Sequence, residues 1–212
     1  VKQFCIDPSY LLEQKLDKGK ASILFSASLT PLDYYQEVLG GGEESLRYRI
    51  PNPFTKDNQL LVIENHIQTT YKERERNYQK IVESLTNMIQ QRTGNYFVFF
   101  SSYSYMDVVY DLFREKNPGI KTKLQASSMN EAEREAFLAD FVSDPEETLL
   151  GFCVLGGIFS EGIDLKGTRL IGTAIVGVGL PQINHEQELI KRYYDLEKNQ
   201  GFQFAYQIPG MN

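Results

Sequence analysis

This 212-residue sequence predicts an α/β fold with a mainly parallel sheet and helices on both faces, on the strength of three observations. Short apolar runs at residues 95–100, 149–155 and 170–176 are continuous rather than alternating, the pattern of strands buried on both faces. Segments of helical periodicity lie between most of the runs, as the crossovers of a parallel sheet require. Three runs end in loops of small polar residues: Ser26-Ala27-Ser28, Ser101-Ser102-Tyr103, and residues 157–164.

Taken in order, Asp7-Pro8-Ser9 opens a helical turn through Leu11, Leu12 and Leu16. Ala21-Ser22-Ile23-Leu24-Phe25 reads as a compact strand, followed by a helix over 31–39. Thr30 stands at its capping position, Pro31 at the first helical one, and Asp33 where a reciprocal capping acid belongs. Gly40-Gly41-Gly42 stops it. Residues 47–55 turn around Pro51 and Pro53, and Leu60-Leu61-Val62-Ile63 reads as another strand. The clearest helix covers 71–91, where Tyr78, Ile81, Val82, Leu85, Met88 and Ile89 recur at steps of three and four. Lys72, Arg74 and Arg76 in its first turns form a solvated charged face by default, with phosphate contact as the alternative. Gly94 ends that helix and the strand at 95–100 follows. A helix then reaches about Lys116, Asn117-Pro118-Gly119 turns, and 122–125 is a short strand. Asn130, with Glu133 three residues on, opens a capped helix expected to run to Val142. The strands at 149–155 and 170–176 come next, then a charged helix over 184–199. Residues 202–212 show no closing element.

The stretch that organises the chain is Gly156-Gly157-Ile158-Phe159-Ser160-Glu161-Gly162-Ile163-Asp164-Leu165. Its glycines permit a sharp turn with exposed N–H groups, Ser160 adds a hydroxyl, and Glu161 and Asp164 add carboxylates. Those acids would repel a bare phosphate, so a ribose, a metal or an arginine suits them better. In a parallel sheet all three polar loops share the carboxyl edge, where ligands bind. Hydroxyls and N–H groups hold phosphates without net positive charge. Tyr103 offers a ring for a base to stack on, or else fills the rim of the core. For any one loop a plain connection is the alternative.

Composition narrows the field. The 22 basic and 28 acidic residues give a net charge of −6, which argues against a surface that attracts nucleic acid everywhere and leaves a local basic groove open. No apolar run reaches membrane-spanning length, so no membrane partner is expected. Cys5 and Cys153 are too few for a disulfide framework or a thiolate metal site, and point to a reducing, cytoplasmic setting. His66 and His185 stand alone, so no metal site is expected. The opening Val1-Lys2-Gln3-Phe4 has neither a signal-peptide pattern nor an initiator methionine, and suggests a fragment.

Three motifs resemble the DinG/XPD family of superfamily 2 DNA helicases. Ile23-Leu24-Phe25-Ser26-Ala27-Ser28-Leu29-Thr30-Pro31-Leu32-Asp33 resembles its S-[AG]-T-L-x-P block, with Ser28 where the family has threonine. Val98-Phe99-Phe100-Ser101-Ser102-Tyr103 resembles its motif IV, F-F-x-S-Y, and the stretch 156–165 its motif V, G-x-x-S-E-G-I-D-[FL]. Gly179-Leu180-Pro181 stands where the family often has G-x-P after the next strand.

The resemblance spans essentially the whole chain. It implies that 1–212 is one RecA-like three-layer domain, the C-terminal motor half of an ATP-dependent DNA helicase. Gly157, Ser160, Glu161, Gly162 and Asp164 would then line the ATP cleft, with Glu161 ordering the loop. Ser101, Ser102 and Tyr103 would face single-stranded DNA, and Ser26, Ala27 and Ser28 would relay domain closure. ATP and magnesium, single-stranded DNA and the N-terminal motor domain are the implied ligands and partners. DNA repair is the implied setting, and any iron–sulfur cluster would belong to the first motor half. No G-x-x-x-x-G-K-[ST] loop or D-E-x-H box occurs in the sequence, and the arginines of motif VI are expected beyond Asn212. No complete catalytic set is present, so the chain by itself is not expected to hydrolyse ATP. The alternative is a nucleotide- or strand-binding module without turnover. A dinucleotide-dependent enzyme would need a G-x-G-x-x-G after its first strand, and there is none.

Overall fold

The structure, a computed structural model, describes residues 3–160 and 162–211. Its contacts divide into two compact units, residues 63–179 and residues 1–62 with 180–212.

The unit 63–179 is built on a four-stranded sheet. Its strands are β1 (Asn95–Phe100), β2 (Lys121–Leu124), β3 (Leu149–Val154) and β4 (Gly172–Val176), in the order β2-β3-β1-β4. Every pairing is parallel, with Phe100 opposite Val154 on one side and Val176 on the other. All residues of β1 and β3 are buried, as their uninterrupted apolar character requires.

Alternation within β1 feeds two separate cores. Tyr96, Val98 and Phe100 meet Leu150 and Phe152 beneath α3 (Tyr78–Gln90) and α4 (Tyr103–Lys116). Phe97 and Phe99 point the other way, toward Phe137 of α5 (Glu131–Ala139) and Phe141 just beyond it. The Phe97 and Phe141 rings lie 4.6 Å apart. Gly151 of β3 is what lets them meet, because a Cβ there would stand 2.6 Å from the Phe97 ring and 2.9 Å from that of Phe141. The expected α/β fold with helices on both faces is present here.

Several helix ends follow their capping residues. Asn130 accepts from the Glu133 backbone at 3.0 Å while the Glu133 carboxylate accepts from the Asn130 N–H at 2.8 Å, so the capping box forms. The helix stops at Ala139 rather than Val142, and Arg169 donates to the carbonyls of Leu138 and Phe141 at 3.2 and 2.7 Å. The helix expected from residue 71 starts as a 3₁₀ turn, Arg74–Asn77, and becomes α-helical at Tyr78.

The other unit holds α1 (Ser9–Leu16), α2 (Leu32–Val38) and α6 (His185–Lys198). Tyr193 donates to Asp7 at 3.1 Å, and Lys198 pairs with Glu37. Gly40, at φ 73°, ends the α2 segment against α1, where a Cβ would lie 2.5 Å from the Ser9 carbonyl oxygen and the Glu13 nitrogen.

Four expectations need correction here. Residues 21–25 form no strand: they join no ladder, and Ile23 and Phe25 are 86% and 89% exposed. Residues 60–63 are likewise irregular and exposed. An apolar run becomes a strand only where a neighbour takes up its N–H and C=O groups. Pro31, not Thr30, is the N-cap of α2, because its extended ψ of 142° leaves it outside the helix, and Asp33 pairs with Arg47 instead of capping. Residues after 201 do form a closing element, a π-helical turn (Gln203–Gln207) leading into α7 (Ile208–Met211). Phe204 stacks on Tyr194 at 4.2 Å, and Tyr206 donates to Glu188 at 2.7 Å.

Candidate functional site

Two of the polar loops emerge side by side at the carboxyl edge of the sheet, because β1 and β3 are neighbours in level register. Leu155 extends the ladder by donating to the Phe100 carbonyl at 2.8 Å, so the loops separate only after that bond. On the first loop Ser101 is exposed, Ser102 caps α4 by accepting from the Tyr105 N–H at 3.4 Å, and Tyr103 is half-buried.

The second loop turns at Gly156, whose φ of 70° favours glycine, and is held down by alternate side chains. Phe159 is buried and stacks on Phe137 at 4.4 Å, while Ile163 and Leu165 pack beside it. Ser160, Gly162 and Asp164 are left on the exposed side. The Gly157 N–H and the Ser160 hydroxyl both donate to the Val154 carbonyl, at 3.0 and 3.1 Å. Arg134 of α5 donates to the Gly162 carbonyl at 3.0 Å. Asp164 pairs with Lys166 at 3.0 Å in the open. Glu161 lies outside the described residues.

A buried amide joins the loops. Gln125, just past β2, donates from Nε2 to the Tyr103 hydroxyl and accepts at Oε1 from the Val154 N–H, both at 3.0 Å. Gly157 lies close against it, since a Cβ there would be 2.7 Å from Nε2. Its place in the sequence gives no sign of this: it is one polar residue at the end of a short strand.

The same edge carries a basic and aromatic group. The Arg74 guanidinium lies over the rings of Tyr71, at 4.4 Å, and Tyr105, at 5.2 Å. Tyr105 is buried, and burial foremost pushes its phenol up to about 12, with Tyr78 adding to the rise and Arg74 opposing it. Tyr71 is exposed. Arg74 is thus anchored on aromatic rings, unlike a plain solvated charge. The sequence signal, a run of basic residues beside a tyrosine, was visible but ambiguous.

Ser26, Ala27 and Ser28 do not terminate a strand. They form an exposed turn in the other unit, with the Ser28 N–H donating to the Ser26 hydroxyl at 3.3 Å. The sheet edge therefore gathers two of the three expected loops. Among the described residues no trio of His, Cys, Asp or Glu is placed to hold a metal ion, and no helix is long and apolar enough to cross a membrane.

Comparison with known proteins identifies the architecture. The helicase C-terminal domain family matches residues 85–212. A solved XPD helicase superposes with a TM-score of 0.70 at 22% identity, covering 97% of this chain and 37% of its own. An XPD structure in the apo form gives 0.54 at 19% identity, covering 68% of this chain and 29% of its own. The chain thus spans about a third of the length of the XPD structures it matches. No curated protein matches it. With its motif IV and motif V loops meeting at one edge of a parallel sheet, the chain belongs to the helicase C-terminal domain family and has the RecA-like fold of the XPD helicases.

Proposed function

We propose that this chain is the C-terminal motor half of an ATP-dependent helicase or translocase that works on single-stranded DNA, in a cytoplasmic DNA-repair setting. The observation that supports this most is the meeting of Tyr103 and the loop from Gly157 to Asp164 at one sheet edge, with Arg74 seated on Tyr105 of the helix that starts there. A strand lying along that edge would meet the Tyr103 and Tyr71 rings for its bases and the exposed Ser101 and half-buried Arg74 for its phosphates. The acidic net charge does not oppose this, because a motor needs only one such track.

These residues do not hold a nucleotide unaided. The sequence has no phosphate-binding loop, and no metal-holding trio occurs among the described residues. ATP, which supplies the free energy of movement, and its magnesium would be gripped mainly by the N-terminal motor domain, and any iron–sulfur cluster would belong there too. Gly157, Ser160, Gly162 and Asp164 would form the facing wall. Closure of the two halves would then shift the loop between two arrangements that grip DNA differently.

The test is ATPase activity with and without single-stranded DNA, on this chain and on the full-length protein. The expected result is an inert chain and a DNA-stimulated full-length enzyme. Turnover by the isolated chain, or a full-length protein indifferent to DNA, overturns the reading.

A further inference from the structure

Gln125 lies outside the three motif stretches named above, yet the residue is 2% exposed and both ends of its side chain are in use. Chemistry fixes its orientation. The Val154 N–H is only a donor, so Oε1 must face it, and Nε2 is left to donate to the Tyr103 oxygen. That oxygen, having accepted, turns its own proton toward the Ala126 carbonyl at 3.4 Å. The Gln125 backbone N–H donates to Phe152 at 2.9 Å, which pins the residue to β3. On the far side, the Val154 carbonyl receives the Gly157 N–H and the Ser160 hydroxyl. A path of hydrogen bonds, joined through the backbone of Val154, runs from the ring of one loop to the turn of the other, and the amide is its middle member.

We infer that Gln125 is a positioning residue that couples the two loops, so that a shift of the loop at 156–160 is felt as a change in the pose of the Tyr103 ring. The functional half of this inference rests on the helicase reading. The mechanical half does not. A glycine at 157 is part of the arrangement, because any side chain there would meet the amide. Low local dielectric strengthens such a network when it is complete and makes it costly when it is broken.

The experiment uses the full-length protein carrying Tyr103→Phe, Gln125→Met, or both. Tyr103→Phe keeps the ring and removes only the hydroxyl, so the protein stays folded. Hydrogen exchange at residues 154–160 reads the mechanical link. Each single change should speed exchange there by roughly two- to tenfold, the change that one lost hydrogen bond corresponds to. The double variant should do no more than Gln125→Met does by itself, because both changes break one path. Unchanged exchange at 154–160 in Tyr103→Phe, or effects that add in the double variant, overturns the coupling. DNA-stimulated ATPase reads the functional half. The maximal stimulated rate should fall in both single variants by a larger factor than the half-saturating DNA concentration shifts. A purely structural residue would instead scale basal and stimulated rates together with the folded fraction. A wild type without DNA stimulation would sink the helicase reading, while the exchange result would still decide the link.

Discussion

Asp164 stands exposed beside Lys166, and an ion pair of that kind contributes about 0–1 kcal/mol to folding. On the motor-domain reading proposed above, Asp164→Ala should leave the unfolding midpoint almost unmoved while cutting DNA-stimulated turnover of the full-length protein by about tenfold or more, the scale of a lost charged contact. Full turnover in the folded variant would remove the residue from the proposed cleft wall. Tyr103→Ala should weaken single-strand binding by about 1–3 kcal/mol if the ring stacks on a base. Titration of labelled strand against both proteins measures it. Tyr105 gives a prediction about pH. Its phenol stays protonated up to about 12, whereas in the unfolded chain it ionises near 10.0. Between those values the unfolded state has lost a proton that the folded state keeps. Stability thus falls as pH rises through that window, by up to about 1.4 kcal/mol per unit. Its hydroxyl is buried with no hydrogen-bond partner among the described residues, so Tyr105→Phe should be neutral or stabilising at pH 7 and should flatten the alkaline slope in denaturant titrations.

Strands and helices put their own constraint on substitution. Gly151→Ala would force a methyl into the space between Phe97 and Phe141, a strain of about 1–3 kcal/mol, visible as a lower denaturant midpoint with an unchanged slope. The elements best foretold by the sequence are those whose signal is local. β1 and β3 announce themselves by unbroken apolar runs and α5 by Asn130 and Glu133, while α6 begins where its charged run does, with the Asn184 side chain accepting from Gln187 at 2.9 Å. Residues 21–25 and 60–63 misled for the converse reason. Their composition suits a strand, but a strand is a relation between two segments, and composition does not name the second. The closing turn after Gly201 was hidden because Gly201, Pro209 and Gly210 read as breakers. In the structure the Gly201 N–H is taken by Asp195 at 2.8 Å and the chain winds on as a π-turn.

At the level of the whole molecule, the fold class and two of the three loops were legible because a parallel sheet places strand ends by topology alone. The link between those loops was not legible. Gln125 acquires its partners only when β2 is laid beside β3, and nothing in residues 121–125 distinguishes it from any other strand end. Arg74 was legible as a charge, whereas its seat on two rings emerged only from the packing of the 3₁₀ turn against α4.

The division into units has a consequence for how the chain is made. Residues 63–179 form one unit, while the other is begun by 1–62 and finished only by 180–212. On the ribosome the opening segment emerges first, yet Tyr34 must wait for Phe204 and Glu37 for Lys198. At usual synthesis rates that interval is on the order of ten seconds. Over most of it Tyr34 and Glu37 of α2 stand without their partners, and the sheet of 63–179 is completed by β4 only near its end. The α2 segment is therefore the one to which a cotranslational chaperone has the longest access.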